Sequence, residues 1–379
     1  MPFLLTSQFE LKPLLTKEID MSLSFAVWGC RDYHSSSGST YNSEHKNFIE
    51  ELHINFWNIS AHKFGYLDFG ITFKKPEDET IAKHGAICIF LPFEKENNFF
   101  SDLSENLESS RDLVTAVFNE YLIDTKTVDG RHLKLVLANK GDLVVNTKLS
   151  FSGGELDHRV KITKIHNGTL LAFKLKDCLS SEDACNHYLR FRVQINKEDI
   201  GLLVKTFYPK DLFLKSSIER SDIIDFRVNE QRNLPSEIAT TLASAACTPL
   251  KCHIFIIRDM VDDCSASGSN YKGSRILESE TWTKYFSKGV SFGSHDPMIY
   301  HWKISNDINS RLNDFSVVVK FKNTKSKLSK IFAYIFYGAA ITFVMKFVPT
   351  ESLDKNIFIY GSLSLIALYI IAHFIKFRK

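Results

Sequence analysis

The chain has 379 residues, of which 44% are hydrophobic, and its formal net charge is only +3. Residues 320–379 hold ten basic and two acidic residues, a net charge of +8, so that residues 1–319 carry −5. This acidic remainder argues against direct nucleic-acid binding, which is typical of basic domains. Its length and its share of the 31 phenylalanines are enough for a large hydrophobic core.

Strand signals dominate the first half of the chain. Aromatic and β-branched residues predict strands at 53–60, 66–75 and 85–93. Apolar residues at helical spacing then predict a helix at 102–122, with Ser101 as its N-cap. Further strands are predicted at 131–138, 142–150, 159–166, 169–175 and 188–195, and a short helix at 197–206.

The pair Asn167-Gly168 gives the clearest local signal. It separates two strand-like segments within 159–175, and Asn-Gly in a two-residue loop is typical of a type I′ turn. We therefore expect a tight hairpin here.

Strands and helices alternate in the second half of the chain. Elements are predicted as strand at 222–228, helix at 235–246, strand at 252–259, loop at 262–275, helix at 276–286, and strands at 298–304 and 315–322. The predicted fold class is therefore α+β. It has a β-rich domain at 1–207, sandwich-like or a partly open barrel, followed by an α+β membrane-proximal domain at 208–325.

The last predicted domain, 326–379, is a two-helix transmembrane hairpin. Residues 331–348 and 357–375 form two apolar runs, and a bilayer core of about 30 Å needs roughly 20 helical residues. Buried core helices are the alternative, but these usually carry a polar stripe, which both runs lack.

Basic flanking residues predict the orientation of this hairpin. Because basic flanks stay on the cytoplasmic side, we expect a multi-pass inner-membrane (plasma-membrane) protein whose body and C-terminus are cytoplasmic and whose partners include membrane lipids. The residues that set this topology are Lys322, Lys325, Lys327, Lys330, Lys376, Arg378 and Lys379.

Enzyme motifs are missing from the sequence. It contains no phosphate-binding loop, no nucleophile elbow and no H-E-x-x-H pattern. The remaining catalytic candidates are charged residues in or after predicted strands: Arg258 and Asp259, and Asp225 with Arg227 on one strand face. The favoured interpretation of these charges is an ion-paired strand end or a half-exposed sheet face, and the sequence favours a protein that is not an enzyme.

One group of residues has the composition of a zinc site. Cys247 and Cys252 have an allowed spacing, with His253 and Cys264 nearby, but no second tight pair follows. His295 and His301 likewise have no third partner at a telling spacing. Buried free thiols are the better interpretation, so the sequence predicts no metal site and no cofactor.

Small residues in the two apolar runs suggest close helix packing. Gly338 and Thr342 have a small-x-x-x-small spacing, and Gly361 and Ser364 offer a similar face on the second run. Packing within one hairpin explains them, and assembly of a pore from several hairpins is the alternative. This alternative predicts a homo-oligomer.

The layout of the last 60 residues resembles the two-transmembrane effectors of bacterial antiphage (abortive-infection) systems. The features that carry this resemblance are the basic stretch KNTKSKLSK, the two apolar runs and their short link. It implies a membrane-anchored effector whose cytoplasmic body senses, or is restrained by, a ligand or a regulatory protein partner, and whose hairpin perturbs the inner membrane. The alternative is a cytoplasmic enzyme or scaffold that the hairpin tethers to the membrane.

Overall fold

A computed structural model describes most of the body of the chain. The described residues are 24–32, 47–60, 62–151, 159–181, 186–208, 219–265, 270–286, 292, 296–306, 312–324 and 338. The chain divides into two compact units, of which the first comprises residues 1–207 with 221–323 and the second residues 208–220 with 324–379. The ion-pair networks, the cysteines and the histidine cluster discussed below all lie in the first unit.

Strands make up most of the first unit. They are β1 (Ser24–Cys30), β2 (Ile49–Trp57), β3 (Gly65–Phe73), β4 (Ala86–Leu91), β5 (Phe100–Asp102), β6 (Leu122–Asp129), β7 (His132–Leu137), β8 (Gly141–Asn146), β9 (Val160–Ile165), β10 (Gly168–Lys174), β11 (Asn186–Ile195), β12 (Val204–Phe207), β13 (Glu219–Val228), β14 (Lys251–Asp259), β15 (Asp262–Ser265), β16 (Tyr271–Ile276), β17 (Pro297–Ser305) and β18 (Phe315–Thr324).

The described helices are all short. They are α1 (Glu79–His84), α2 (Ser104–Ser109), α3 (Arg111–Phe118), α4 (Leu175–Cys178), α5 (Lys197–Leu203), α6 (Ser236–Ala243) and α7 (Ser279–Thr283), with single 3₁₀ turns at Asn97–Phe99 and Gln231–Asn233.

These strands form two sheets. The first runs β15-β18-β13-β1-β4-β10-β9, with β12 paired to β13, and the second runs β16-β17-β14-β2-β3-β11-β8-β7-β6, with β5 paired to β11. The inward faces of the two sheets share one apolar core. Phe25, Ile89 and Phe226 enter it from the first sheet, and Phe69 and Phe191 from the second. Alternation along each strand produces this layering, since every second side chain points to the same face.

Helices cover parts of the outer faces. Ile238 and Leu242 of α6 pack against Trp28 on the first sheet. On the second sheet Trp282 of α7 packs against Trp57 at one end of β2. The other end of β2, with β14 and β17 beside it, keeps a polar outer face of half-buried side chains.

Parallel pairing joins strands that lie far apart in the sequence. β1 pairs with β13, and β2 pairs with β14 in the register His53 to His253. Strands from the predicted domains 1–207 and 208–325 are therefore neighbours in both sheets. The proposed boundary at 207/208 falls between β12 and β13, which pair antiparallel.

Most predicted strands and helices are present, with two instructive differences. The helix predicted at 102–122 is two helices. α2 ends at Ser109, and the hydroxyl of the next residue, Ser110, accepts a hydrogen bond from Leu113 N and so caps α3. Ser101, the predicted cap, lies in β5. The segment predicted as a loop, 262–275, contains β15 and most of β16. Both strands are polar and partly exposed.

The hairpin around Asn167 forms, but its turn differs from the prediction. Gly168 pairs with Ile165, so the two loop residues are His166 and Asn167. Only His166 of these two has a positive φ, at 51°, whereas a type I′ turn needs it at both central positions. Gly168 is required for another reason. A Cβ atom there would lie 2.5 Å from the Phe90 ring.

The transmembrane part of the fold prediction is contradicted. Among the residues that the structure describes, no helix is long and apolar enough to cross a membrane. The longest have eight residues, against roughly 20 for a bilayer. The predicted spans 331–348 and 357–375 lie outside the described residues, apart from Gly338. The structure supports a β-rich fold with two sheets.

The localisation prediction falls with the hairpin. A multi-pass inner-membrane protein with a cytoplasmic body and C-terminus has no spanning helix to support it in the described ranges. Of the residues expected to set its topology, Lys322 lies in β18. Lys325, Lys327, Lys330, Lys376, Arg378 and Lys379 lie outside the described residues.

Candidate functional site

The catalytic candidate Arg258 lies in a buried ion-pair network. Its side chain is 3% exposed and donates through Nε to Asp262 and through Nη2 to Asp222, both at 2.8 Å. Asp262 is bound in addition by Asn323. This network links β13, β14, β15 and β18, and one guanidinium bridges both carboxylates.

The other charged candidates are also paired. Asp259 accepts hydrogen bonds from the backbone and hydroxyl of Ser60. Asp225 and Arg227 lie on one face of β13 as predicted and form a two-point ion pair at 2.9 and 2.7 Å. Arg227 also binds Glu230. The structure does not bring the Asp225–Arg227 pair and the Arg258 network into one ion-paired cluster, and their catalytic role stays a prediction.

The cysteine-rich group does not come together around His253. Cys252 points into the core between the sheets, whereas His253, the next residue in β14, points to the opposite face. Burial raises the pKa of the Cys247 thiol to about 12 and that of Cys252 further still. The interpretation of Cys247 and Cys252 as buried free thiols is confirmed.

The residues predicted for membrane-helix packing are almost wholly outside the described part. Gly338 is helical and exposed. Thr342, Gly361 and Ser364 lie outside the described residues, as does His295. Their roles stay predictions.

A histidine cluster with one carboxylate lies on the polar outer face of the second sheet. Glu51 and His53 are two residues apart in β2 and so share a face. The parallel register places His253 of β14 directly beside His53, and His301 comes from β17 on the far side of β14. One ligand atom from each of Glu51, His53 and His253 can be chosen so that all lie within 4.8 Å of one another.

Contacts within the cluster orient its imidazoles. The His253 ring stacks on His301 with centroids 5.2 Å apart, and His253 Nδ1 lies 3.1 Å from His301 Nε2. His53 Nε2 lies 3.6 Å from one carboxylate oxygen of Glu51. The other carboxylate oxygen of Glu51 accepts a hydrogen bond of 3.0 Å from Lys251 Nζ. His253 Nε2 is buried without a hydrogen-bond partner among the described residues. Such an orphaned nitrogen is uncommon.

Burial and neighbouring cations keep these imidazoles neutral. Burial, with the charges of Arg190 and Lys140, lowers the pKa of His53 to about 3, and burial with Lys303 lowers that of His301 to about 4. Burial and the charge that His53 would carry lower the pKa of His253. Burial raises the pKa of Glu51, but the hydrogen bond and charge of Lys251, together with the charges of His253 and Lys140, outweigh burial and lower this pKa below its usual value. At neutral pH the cluster has three neutral imidazoles and one carboxylate.

Arg190 extends this site across the sheet. Both His53 of β2 and Arg190 of β11 pair with Gly70 of β3, so the three residues form one row on the same face. A Cβ atom on Gly70 would lie 2.3 Å from Tyr188 Oη and 3.2 Å from Arg190 Nη1. The missing side chain at Gly70 therefore lets the guanidinium lie over β3, towards His53.

Arg190 and its neighbour Arg192 differ in how their charge is balanced. Arg192 binds both oxygens of Asp68, at 2.6 and 2.9 Å. Arg190 is 2% exposed and donates only to the hydroxyls of Tyr285 and Tyr188, each at 2.7 Å. No carboxylate among the described residues forms an ion pair with it. Asp68, which Arg192 already binds, acts on Arg190 only from a longer distance and raises its pKa. Buried arginines rarely lack an anion of their own.

The sequence contains only half of the signal for this site. Glu51-x-His53 in a predicted strand indicates two polar groups on one face, but His253 and His301 lie about 200 and 250 residues further on. Only the pairing of β2 with β14 and of β14 with β17 brings them together. The spacing of histidines in the sequence does not reveal the contact of His301 with His253, because the two residues lie on strands far apart in the chain.

Comparisons with known proteins find no match: no protein-family model fits the chain, and no curated protein is similar to it. The predicted roles in antiviral defence and as an effector therefore have no support from relatives. The membrane-protein attributes have no support from the helices that the structure describes.

Proposed function

We propose that this protein binds a divalent transition-metal ion on the outer face of its second sheet, with Glu51, His53 and His253 as ligands. The observation that carries this proposal is the convergence of two neutral imidazoles and one carboxylate, with ligand atoms within 4.8 Å of one another. Two histidines and one carboxylate are the ligand set of several catalytic zinc and iron sites that keep coordination positions open.

The distances fit this role after a small adjustment. Ligand atoms bound to one ion at about 2.0–2.2 Å lie roughly 3–3.5 Å apart. The three side chains would need to close by about 1–1.5 Å, which side-chain rotation can supply because all three are only half-buried.

The partner of His253 supports the same assignment. In the tautomer with the proton on Nδ1, His253 donates to His301 Nε2 and presents the lone pair of Nε2. Outer partners of this kind orient metal-ligating histidines. If the histidines only packed against one another, the distances between their rings would be similar. Packing alone would not explain why the buried Nε2 atom of His253 has no hydrogen-bond partner among the described residues.

Metal titration of the full-length protein tests this proposal. We expect one Co²⁺ or Zn²⁺ per chain, measured by calorimetry and by elemental analysis after gel filtration. His53→Gln and Glu51→Gln should each weaken binding at least tenfold. His166→Gln is the matched control, because His166 is about half exposed on the hairpin loop and remote from the cluster in the sheet order. Equal binding by all four proteins would refute the proposal.

The hypothesis from the sequence, that the body senses or is restrained by a ligand or a regulatory partner, stays a prediction. The proposed metal site gives it one concrete ligand class. The same site would also suit the alternative of an enzyme, since its ligand set leaves coordination positions for a substrate.

A further inference from the structure

We infer that the metal site takes a phosphate-class oxyanion as its second ligand, held between the metal and Arg190, and that metal and anion bind cooperatively. This inference rests on the proposed metal-binding function. Its starting observation is that Arg190 is a buried cation in one row with His53, with no carboxylate of the described residues at ion-pair distance. The carboxylate that acts on it from further away, Asp68, is already bound by Arg192.

The charge around the cluster favours an anion of more than one negative charge. Arg190, Lys140 and Lys303 all act on His53, and Lys251 binds Glu51. Glu51 is the one carboxylate among the proposed ligands. Adding a divalent ion leaves a clear excess of positive charge, which a carboxylate monoanion would neutralise less well than a phosphate dianion.

The geometry of Arg190 suits such a ligand. Nε and Nη1 are held by Tyr285 and Tyr188, and these hydroxyls fix the plane of the guanidinium over Gly70. Guanidinium groups bind phosphate through paired N–H donors, and preorganisation lowers the cost of binding. Tyr188 and Tyr285 are both fully buried, so the arginine has little freedom to move elsewhere.

Cooperativity follows from repulsion between the cations. Without an anion, a metal on His53 and His253 is repelled by Arg190 and Lys303. With phosphate present, both the metal ion and Arg190 are attracted to the bound anion, which offsets the repulsion between them. Each ligand must then raise the affinity of the other by the same factor.

The test is calorimetric titration of Co²⁺ into the full-length protein, with and without inorganic phosphate, and with acetate at equal ionic strength. We expect phosphate to tighten Co²⁺ binding at least tenfold and acetate to have little effect. Arg190→Gln should abolish the enhancement and at the same time strengthen Co²⁺ binding in the absence of phosphate, because a repelling charge is removed. A merely structural role of Arg190 would not produce this reversal.

Two further variants keep the test decisive. Lys303→Gln should change both affinities in the same directions as Arg190→Gln, by a smaller factor, and it is a half-buried position where folding is less at risk. Arg232→Gln is the matched arginine control, because Arg232 is 86% exposed and pairs with Glu230 elsewhere.

The outcomes separate the two proposals. Co²⁺ binding that phosphate does not alter, or that acetate enhances equally, overturns the oxyanion inference and leaves the metal site standing. Loss of Co²⁺ binding under every condition overturns the metal site and the cooperativity together. A separate titration of phosphate into metal-free protein then shows whether Arg190 binds anions on its own.

Discussion

At the scale of single residues, side chains on adjacent strands explain why two positions in the sheets are glycine. Gly168 was expected to serve the turn, yet a Cβ atom at this position would lie 2.5 Å from the Phe90 ring and 2.6 Å from Leu91 O. Gly70 similarly makes room for Arg190 and Tyr188. Neither glycine has a positive φ, so close packing and not backbone conformation fixes both.

We therefore expect Gly168→Ala to destabilise the protein by about 1–3 kcal/mol, the usual cost of overpacking. Gly130→Ala is the control, because nothing lies within 4 Å of a Cβ atom there, and its effect should be within about 0.5 kcal/mol. Denaturant unfolding of both variants measures the difference. Equal stabilities would show that β4 and β10 can move apart without cost.

At the scale of elements, the ion-pair network around Arg258 connects strands of the two sheets. Asp222 of β13 and Asp262 of β15 are 4% and 1% exposed, and both bind the Arg258 side chain of β14. The sequence made Arg258 a candidate for catalysis. Because Arg258, Asp222 and Asp262 are buried and paired with one another, we interpret them as a structural link between the two sheets.

This explanation predicts a large loss of stability for Arg258→Met. Two buried carboxylates would lose their counter-ion, and breaking a buried pair costs about 3–5 kcal/mol. Arg227→Met should cost only about 1 kcal/mol, because the Arg227 side chain is 27% exposed. Thermal unfolding followed by circular dichroism compares them. A catalytic role of Arg258 would instead require a variant that folds normally and loses an activity.

At the scale of the whole first unit, both sheets are assembled from strands on either side of residue 207. β14 inserts between β2 and β17, and β13 lies between β1 and β18. The core between the sheets needs Phe226 and Ile254 as much as it needs Phe69 and Phe191. Both halves of the chain thus contribute strands to each sheet and side chains to the core.

The fragment 1–207 should therefore not fold independently. Without β14, the edge of β2 would be unpaired and the apolar inner faces exposed, which favours aggregation. Near-ultraviolet circular dichroism and gel filtration of this fragment, alone and co-expressed with 208–379, test the expectation. A cooperative unfolding transition of the isolated fragment would support the domain boundary predicted from the sequence.

Local patterns were sufficient for many strands because each depends on its own residues. Alternating or continuous apolar segments predicted β2, β3, β4, β11, β14 and β17 within a few residues. The polar strands β15 and β16 were missed because pairing with β18 and β17, and not apolar content, stabilises them. The helix break at Ser110 depends on one capping hydroxyl within a continuous apolar pattern.

The sequence by itself determined that the protein is rich in strands, that Cys247 and Cys252 are buried thiols, and that Asp225 and Arg227 share a face. Each of these follows from residue type and the two-residue period of a strand. Only the tertiary structure decided that Glu51, His53, His253 and His301 meet, and that Arg190 lies in one row with them. Parallel pairing sets neighbours across some 200 residues, and the register that selects them is a property of the assembled sheet.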